Sequence, residues 1–157
     1  MTTTAALNEY EIERGKPMPD KNHAFVQARL LLNTQVKYEG TYTILPELTL
    51  GLPIRERVPD LAIYPPMDFV PGDNEIRMTE IPLGVVEILF AKQDLSELMV
   101  KRAEYFSAGV KSYWLALPDL KTIYVFYSPE DYNIYSGKDI LKDKKLDIEL
   151  DLGEIFK

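Results

Sequence analysis

Cysteine is absent from this chain of 157 residues, which excludes disulfides and thiolate-bound metals and fits a cytoplasmic protein. No window stays apolar over the about 20 residues that a membrane span requires. The first seven residues hold no basic stretch followed by an apolar one, so no signal peptide is expected. Basic charge is also in deficit: 18 Lys and Arg stand against 25 Asp and Glu, a formal net charge of −7. Tight non-specific binding of nucleic acid rests on many Lys and Arg contacts to phosphate, so this balance counts against it, although a local basic strip remains compatible. No internal repeat and no low-complexity segment interrupts the chain.

What is present is an ordinary globular composition, 46% hydrophobic and 27% charged. The length suits one domain with a real core. The most informative stretch is Val85-Val86-Glu87-Ile88-Leu89. An apolar run of this length, preceded by Pro82 and Gly84 and followed by a polar segment, reads as a buried central strand. A carboxylate in such a strand is costly to desolvate unless it is paired or bound to a metal. Glu87 therefore needs partners.

The rest of the chain supplies a frame for that strand. Residues 7–18 read as a short helix or an extended arm, ending in the turn residues Gly15 and Pro17. Residues 20–22 offer N-caps for a helix running to about Tyr38. Its apolar positions are expected at Phe25, Ala28, Leu31, Leu32, Gln35 and Val36. Gly40 stops it. Residues 41–50 read as a strand with an irregularity at Pro46-Glu47, and residues 58–64 as another, with Pro59 tolerable only near its start or at an edge. Residues 65–80 form a long loop, and loops of that length are often functional or mobile. Asp94, with Glu97 three positions on, resembles a capping box. The helix it opens carries Leu95, Leu98, Met99, Tyr105 and Phe106 on one side and ends at Gly109. Residues 112–117 form an aromatic strand, and residues 123–127 and 132–135 a hairpin. The lysines at 142, 144 and 145 read as a solvated turn, and residues 148–156 as a closing strand or short helix. The expected fold is α/β or α+β, a mixed central sheet flanked by helices with an appended β-hairpin.

Two carboxylates fall in predicted strands, Asp60 and Glu87. Strand alternation points Glu87 away from Val86 and Ile88, and Asp60 away from Leu61. If the two strands are neighbours, both carboxylates meet at one spot. They repel there unless a cation lies between them. A hard cation such as Mg²⁺ suits two carboxylates completed by water and substrate phosphate oxygens.

Pro59-Asp60 followed by Glu87 in a second strand resembles the PD-(D/E)XK nuclease signature. The wider pattern resembles one branch of that superfamily, the Uma family of restriction-endonuclease-like proteins. The matching stretches are residues 10–18, His23 at the opening of a helix, Pro46-Glu47, Val58-Pro59-Asp60-Leu61-Ala62, Val86-Glu87-Ile88-Leu89, residues 101–115 and residues 150–156. The block at 101–115 is the most specific. The resemblance implies a restriction-endonuclease-like fold and Mg²⁺- or Mn²⁺-dependent hydrolysis of DNA, with Asp60 and Glu87 as metal ligands. It also points to a homodimer, by analogy with nucleases that cut two strands with two subunits. The chain departs from the superfamily motif two positions after Glu87, where Leu89 stands in place of lysine. The family resemblance relocates that lysine to the following helix, at Lys101. A second departure is Phe90-Ala91-Lys92, where the family has a small Ser-Pro-Ser-like segment; it makes Lys92 another candidate.

Blander readings stand beside these. Asp60 reads also as a strand-start acid, Lys101 as a solvated helix residue, and His23 as a helix-capping residue before it reads as an accessory ligand. Glu47 is either a third ligand or a solvated strand residue. Tyr124, Tyr127, Tyr132 and Tyr135 suit sheet packing or a subunit interface ahead of base stacking. Two alternatives to DNA cleavage stay open: a binding module that keeps the nuclease fold without turnover, and a phosphodiesterase acting on a small substrate.

Overall fold

The computed structural model describes residues 18–157, so the expected arm over 7–18 lies outside the described residues except for Met18. Asp20 caps the first helix, α1 (Lys21–Lys37), accepting the His23 N–H at 2.8 Å. The buried stripe of α1 is His23, Val26, Leu30 and Thr34. This corrects the expected apolar face. Phe25, Leu32 and Val36 point to solvent, Val36 at 70% exposure, and only Leu31 of that set packs against the core. The helix turns a face with two polar residues inward because His23 has a buried carboxylate to meet.

The expected strand over 41–50 is two strands. β1 (Thr43–Pro46) and β2 (Thr49–Gly51) are separated by Glu47, which sits in the left-handed region at φ 56°. That conformation is costly for a residue with a Cβ, and it swings the chain from one sheet into another. Then follow β3 (Glu56–Arg57), β4 (Leu61–Tyr64), β5 (Arg77–Met78) and β6 (Gly84–Ile88). β5 lies inside the expected 65–80 loop, and β4 begins one residue after Asp60. Asp60 is therefore at the strand's entrance and not within it. α2 (Leu95–Ala108) starts at Asp94, whose carboxylate accepts the Ser96 N–H at 2.9 Å. Gly109 ends it at φ 108°. β7 (Ser112–Leu117), β8 (Thr122–Phe126), β9 (Tyr132–Ser136), β10 (Ile140–Asp143), β11 (Ile148–Asp151) and α3 (Leu152–Ile155) complete the chain.

The central sheet has the order β1-β4-β6-β7-β8-β9, with β6 and β7 parallel and every other neighbouring pair antiparallel. α2 is the crossover that parallel neighbours require. β3-β2-β5 forms a small second sheet, and β10 pairs with β11. No described helix is long and apolar enough to cross a membrane.

Alternation along β6 divides the core. Val86 and Ile88 face α1, packing with Val26, Leu30 and Trp114 and with Leu141, Ile148 and Leu150 of the β10-β11 hairpin. Val85 faces α2, packing with Leu98, Tyr105 and Tyr113. Lys144 and Lys145 stand exposed in the turn between β10 and β11, as expected, and Lys142 is exposed on β10 itself. Its buried Asp143 accepts from Trp114 Nε1 at 2.8 Å and from the N–H groups of Lys145 and Leu146.

Candidate active site

Glu87 is the charged residue of a strand that is buried at every position, and it is itself 3% exposed. By alternation it shares the α2 face with Val85. The stripe of α2 that lies on the sheet carries Leu98, Lys101 and Tyr105, spaced at three and four as one helix face requires. Tyr105 donates its hydroxyl to Glu87 Oε1 at 3.1 Å, and Lys101 Nζ lies 3.9 Å from Oε2. Lys101 keeps only 12% of its side chain exposed. Burial, and then the charge of Glu87, hold the Tyr105 phenol well above its usual pKa. It therefore stays a proton donor to the carboxylate across the ordinary pH range.

Asp60 stands at the entrance of the neighbouring strand. The antiparallel pairing of β4 with β6 places Leu61 opposite Val86. Continuing that register by one residue sets Asp60 opposite Glu87. Asp60 is fully buried, and its Oδ2 accepts the Ile88 N–H at 2.7 Å. Nε2 of the fully buried His23 lies 3.1 Å from that oxygen, off the axis of a good hydrogen bond. The His23 ring stacks on Phe90 with centroids 4.1 Å apart and planes 8° apart. The bulky residue in the Phe90-Ala91-Lys92 segment thus packs against the imidazole that faces Asp60.

Glu47 joins the cluster through the backbone. Its N–H donates to the Asp60 carbonyl at 3.2 Å. Gln27 bridges the two residues, donating to Glu47 Oε1 at 3.2 Å and to the Asp60 carbonyl at 3.1 Å. Lys101 is therefore brought to Glu87, and Asp60 to the adjacent Ile88 N–H, with His23 and Glu47 adjoining Asp60. Lys92 is not part of this group: it lies exposed in the turn after Phe90. Among the described residues, no group of three or more His, Cys, Asp or Glu side chains is placed to hold a metal ion. Two opposed carboxylates fit a hard divalent cation that takes most of its ligands from water and phosphate.

Little in the sequence marks Tyr105 beyond its place on the apolar side of α2. Its spacing of four from Lys101 is the one local signal that it would share Lys101's target. A second contact was not legible at all: Arg57 clamps Glu104 of α2 with Nε–Oε2 at 2.7 Å and Nη2–Oε1 at 2.9 Å. This bidentate pair ties the small sheet to the helix that carries Lys101. The Arg57 hydrogen bonds hold Glu104 below its ordinary pKa of 4.5. A depressed carboxylate stabilises the fold above its unfolded pKa and loses that contribution as pH falls through the folded value. Glu104→Gln should thus cost roughly 1–3 kcal/mol at neutral pH. Urea titrations of both proteins should show the gap narrowing as pH falls below 4.5.

A hollow of about 390 Å³ opens beside the cluster, between the start of α1, Leu89 to Ala91 and the turn at Pro118 to Leu120. Its walls are mainly apolar, and Asp60, Glu87 and Lys101 do not line it. The candidate chemistry is therefore next to this hollow and not inside it.

The family model of Uma2, described as "Putative restriction endonuclease", matches residues 6–154. Among solved structures, the chain is similar to a putative nuclease belonging to DUF820 from Anabaena variabilis ATCC 29413, with a TM-score of 0.74 at 19% identity. The match covers 89% of this chain and 83% of that one. No curated protein matches.

Proposed function

The chain belongs to the Uma2 family, and from that premise we propose that it is a metal-dependent nuclease hydrolysing phosphodiester bonds of DNA. The observation that carries the reading is Lys101 Nζ, 3.9 Å from Glu87 Oε2. It supports Lys101 in the role that a lysine two positions after Glu87 has in the superfamily motif. Asp60 and Glu87 would hold Mg²⁺ or Mn²⁺, which when bound supplies a Lewis acid for a phosphate oxygen and lowers the pKa of a water.

The protein's own groups divide the remaining work. Tyr105 fixes the rotamer of Glu87 by donating to one oxygen, leaving the carboxylate turned toward Lys101. Ile88 N–H and His23 orient Asp60. Lys101 places a positive charge beside Glu87, where it can offset the negative charge that builds on phosphate oxygens as water attacks. One such centre serves one strand at a time, so two copies of the chain would cut both strands of a duplex together.

Supercoiled plasmid incubated with the protein and Mg²⁺ or Mn²⁺ should be nicked or linearised, and excess EDTA should stop the reaction. Absence of cleavage with either ion, or cleavage that persists in EDTA, overturns the reading. The net charge of −7 favours a second reading, hydrolysis of a small phosphodiester. Turnover of bis(p-nitrophenyl) phosphate by a protein that leaves plasmid intact would select it. Binding of DNA without turnover of either substrate would select a non-catalytic module.

A further inference from the structure

The six-stranded sheet extends beyond the helix that covers it. On β9, Tyr132, Ile134 and Ser136 are exposed while Asn133 and Tyr135 are half-buried. The half-buried side faces β10, where the Tyr135 hydroxyl reaches the Lys142 carbonyl. The exposed side is the α2 side. Tyr132 pairs with Phe126 and Ile134 with Tyr124, and the row through Tyr124 continues to Leu115 and Glu87. Beside α2 there is thus an open shelf on the same face of the sheet as Glu87. The two are separated by roughly 10 Å, two strand spacings, from β6 to β8.

The shelf is aromatic. Tyr124 and Tyr132 stack with centroids 5.7 Å apart, Phe126 and Tyr132 lie 5.0 Å apart, and Tyr132 keeps 44% of its surface exposed. Its inner wall is Arg102, adjacent in sequence to Lys101, with its guanidinium carbon 4.7 Å above the Phe126 ring. Arg57 on the same side is clamped by a carboxylate, but Arg102 makes no ion pair among the described residues, and its buried Nε has no acceptor. A buried guanidinium N–H without an acceptor is unfavourable, and the protein holds 25 acidic residues that could have met it. Glu130 and Asp131 are exposed at the far end, where β9 begins. They disfavour an anion there, so a phosphate belongs on the α2 side. The exposed Tyr132 ring, with a guanidinium nearby whose Nε lacks an acceptor, suits a nucleotide, base on the ring and phosphate on the arginine.

We propose that Tyr124, Tyr132 and Arg102 form a binding subsite for an unpaired nucleotide flanking the cleaved bond, so that the preferred substrate carries a single-stranded segment. Paired bases present only edges to such a shelf, whereas an unpaired base can lay its face on Tyr132. This inference rests on the nuclease reading for the word "flanking", but the binding itself does not require cleavage.

The test uses the full chain in EDTA and fluorescein-labelled 12-nucleotide probes of single-stranded DNA, single-stranded RNA and blunt duplex DNA, followed by anisotropy. The unmodified protein should bind a single strand more tightly than the duplex. Tyr132→Ala and Arg102→Gln should each weaken single-strand binding about tenfold, while Tyr132→Phe keeps the stack and the affinity. Arg102→Gln should also lower the slope of log affinity against log salt by about 0.7, the value for one lost phosphate contact on a single strand. Thermal melts establish that each variant is folded. Preference for the DNA or the RNA probe supports the subsite and identifies the sugar it accepts. Failure of the unmodified protein to bind either single strand, or unchanged affinity in folded Tyr132→Ala and Arg102→Gln, overturns it. Plasmid cleavage that persists beside unchanged binding would sink the subsite and leave the nuclease reading standing. Loss of binding in the variants of a protein that cleaves nothing would do the reverse.

Discussion

Glu87→Gln is expected to lower plasmid cleavage by roughly a thousandfold or more, since a metal ligand's contribution of several kcal/mol converts at about 1.4 kcal/mol per factor of ten. The exchange is close to isosteric. The amide oxygen can still accept from Tyr105, and burial keeps that phenol protonated with or without a neighbouring charge. What disappears is the negative charge that both a cation and Lys101 would address. Fold and function should therefore separate: the far-ultraviolet spectrum stays, while Mg²⁺ binding measured by calorimetry and cleavage both fall. Retention of cleavage within a few-fold of the unmodified protein would remove Glu87 from the mechanism.

Lys101→Met is the second large effect. Removing one pre-organised donor that faces developing charge costs roughly 100- to 1000-fold in turnover. Methionine keeps the apolar stem that packs between helix and sheet, so stability should change little. Substrate binding should also change less than turnover, because the charge matters most when phosphate oxygens gain electron density. Lys92→Met serves as the comparison. Lys92 is exposed in the turn after Phe90, and its replacement should leave cleavage untouched. Equal losses from both lysines would mean that the assay reads general attraction for a polyanion. Loss from Lys92 alone would place the functional lysine in the turn and not on α2.

The strands around Glu87 were legible because burial writes itself plainly there. An uninterrupted apolar run can only be a core element, and a single acid within it stands out. Asp94 and Gly109 likewise mark the ends of α2 through local backbone chemistry. The inward face of α1 was not legible, because its stripe includes His23 and Thr34. Hydrophobic periodicity selects Phe25, Leu32 and Val36, which are exposed. The helix is oriented by a contact with Asp60, 37 positions away, and no short window of sequence contains that information. Glu47 shows the same limit. Its left-handed backbone ends one strand and starts another in a different sheet, while the surrounding Thr, Tyr and Leu residues argue for continuity. Arg57 and Glu104 are 47 positions apart, and each alone reads as a surface charge. The family resemblance points to Lys101, and the contact with Glu87 supplies its direction.

Asp60 differs from its two companions in one respect that bears on how such chains drift. Its carboxylate caps the Ile88 amide inside the sheet and lies against a buried imidazole. If Glu87 and Lys101 serve the proposed reaction, a lineage that stopped needing it could exchange the couple together for a neutral pair, yet would still be held to an acid at 60 by the demands of folding. On the proposed reading, the aspartate would then mark ancestry and the glutamate–lysine couple present use. Among related chains, an intact Asp with a broken couple would identify those that kept the architecture after abandoning the reaction.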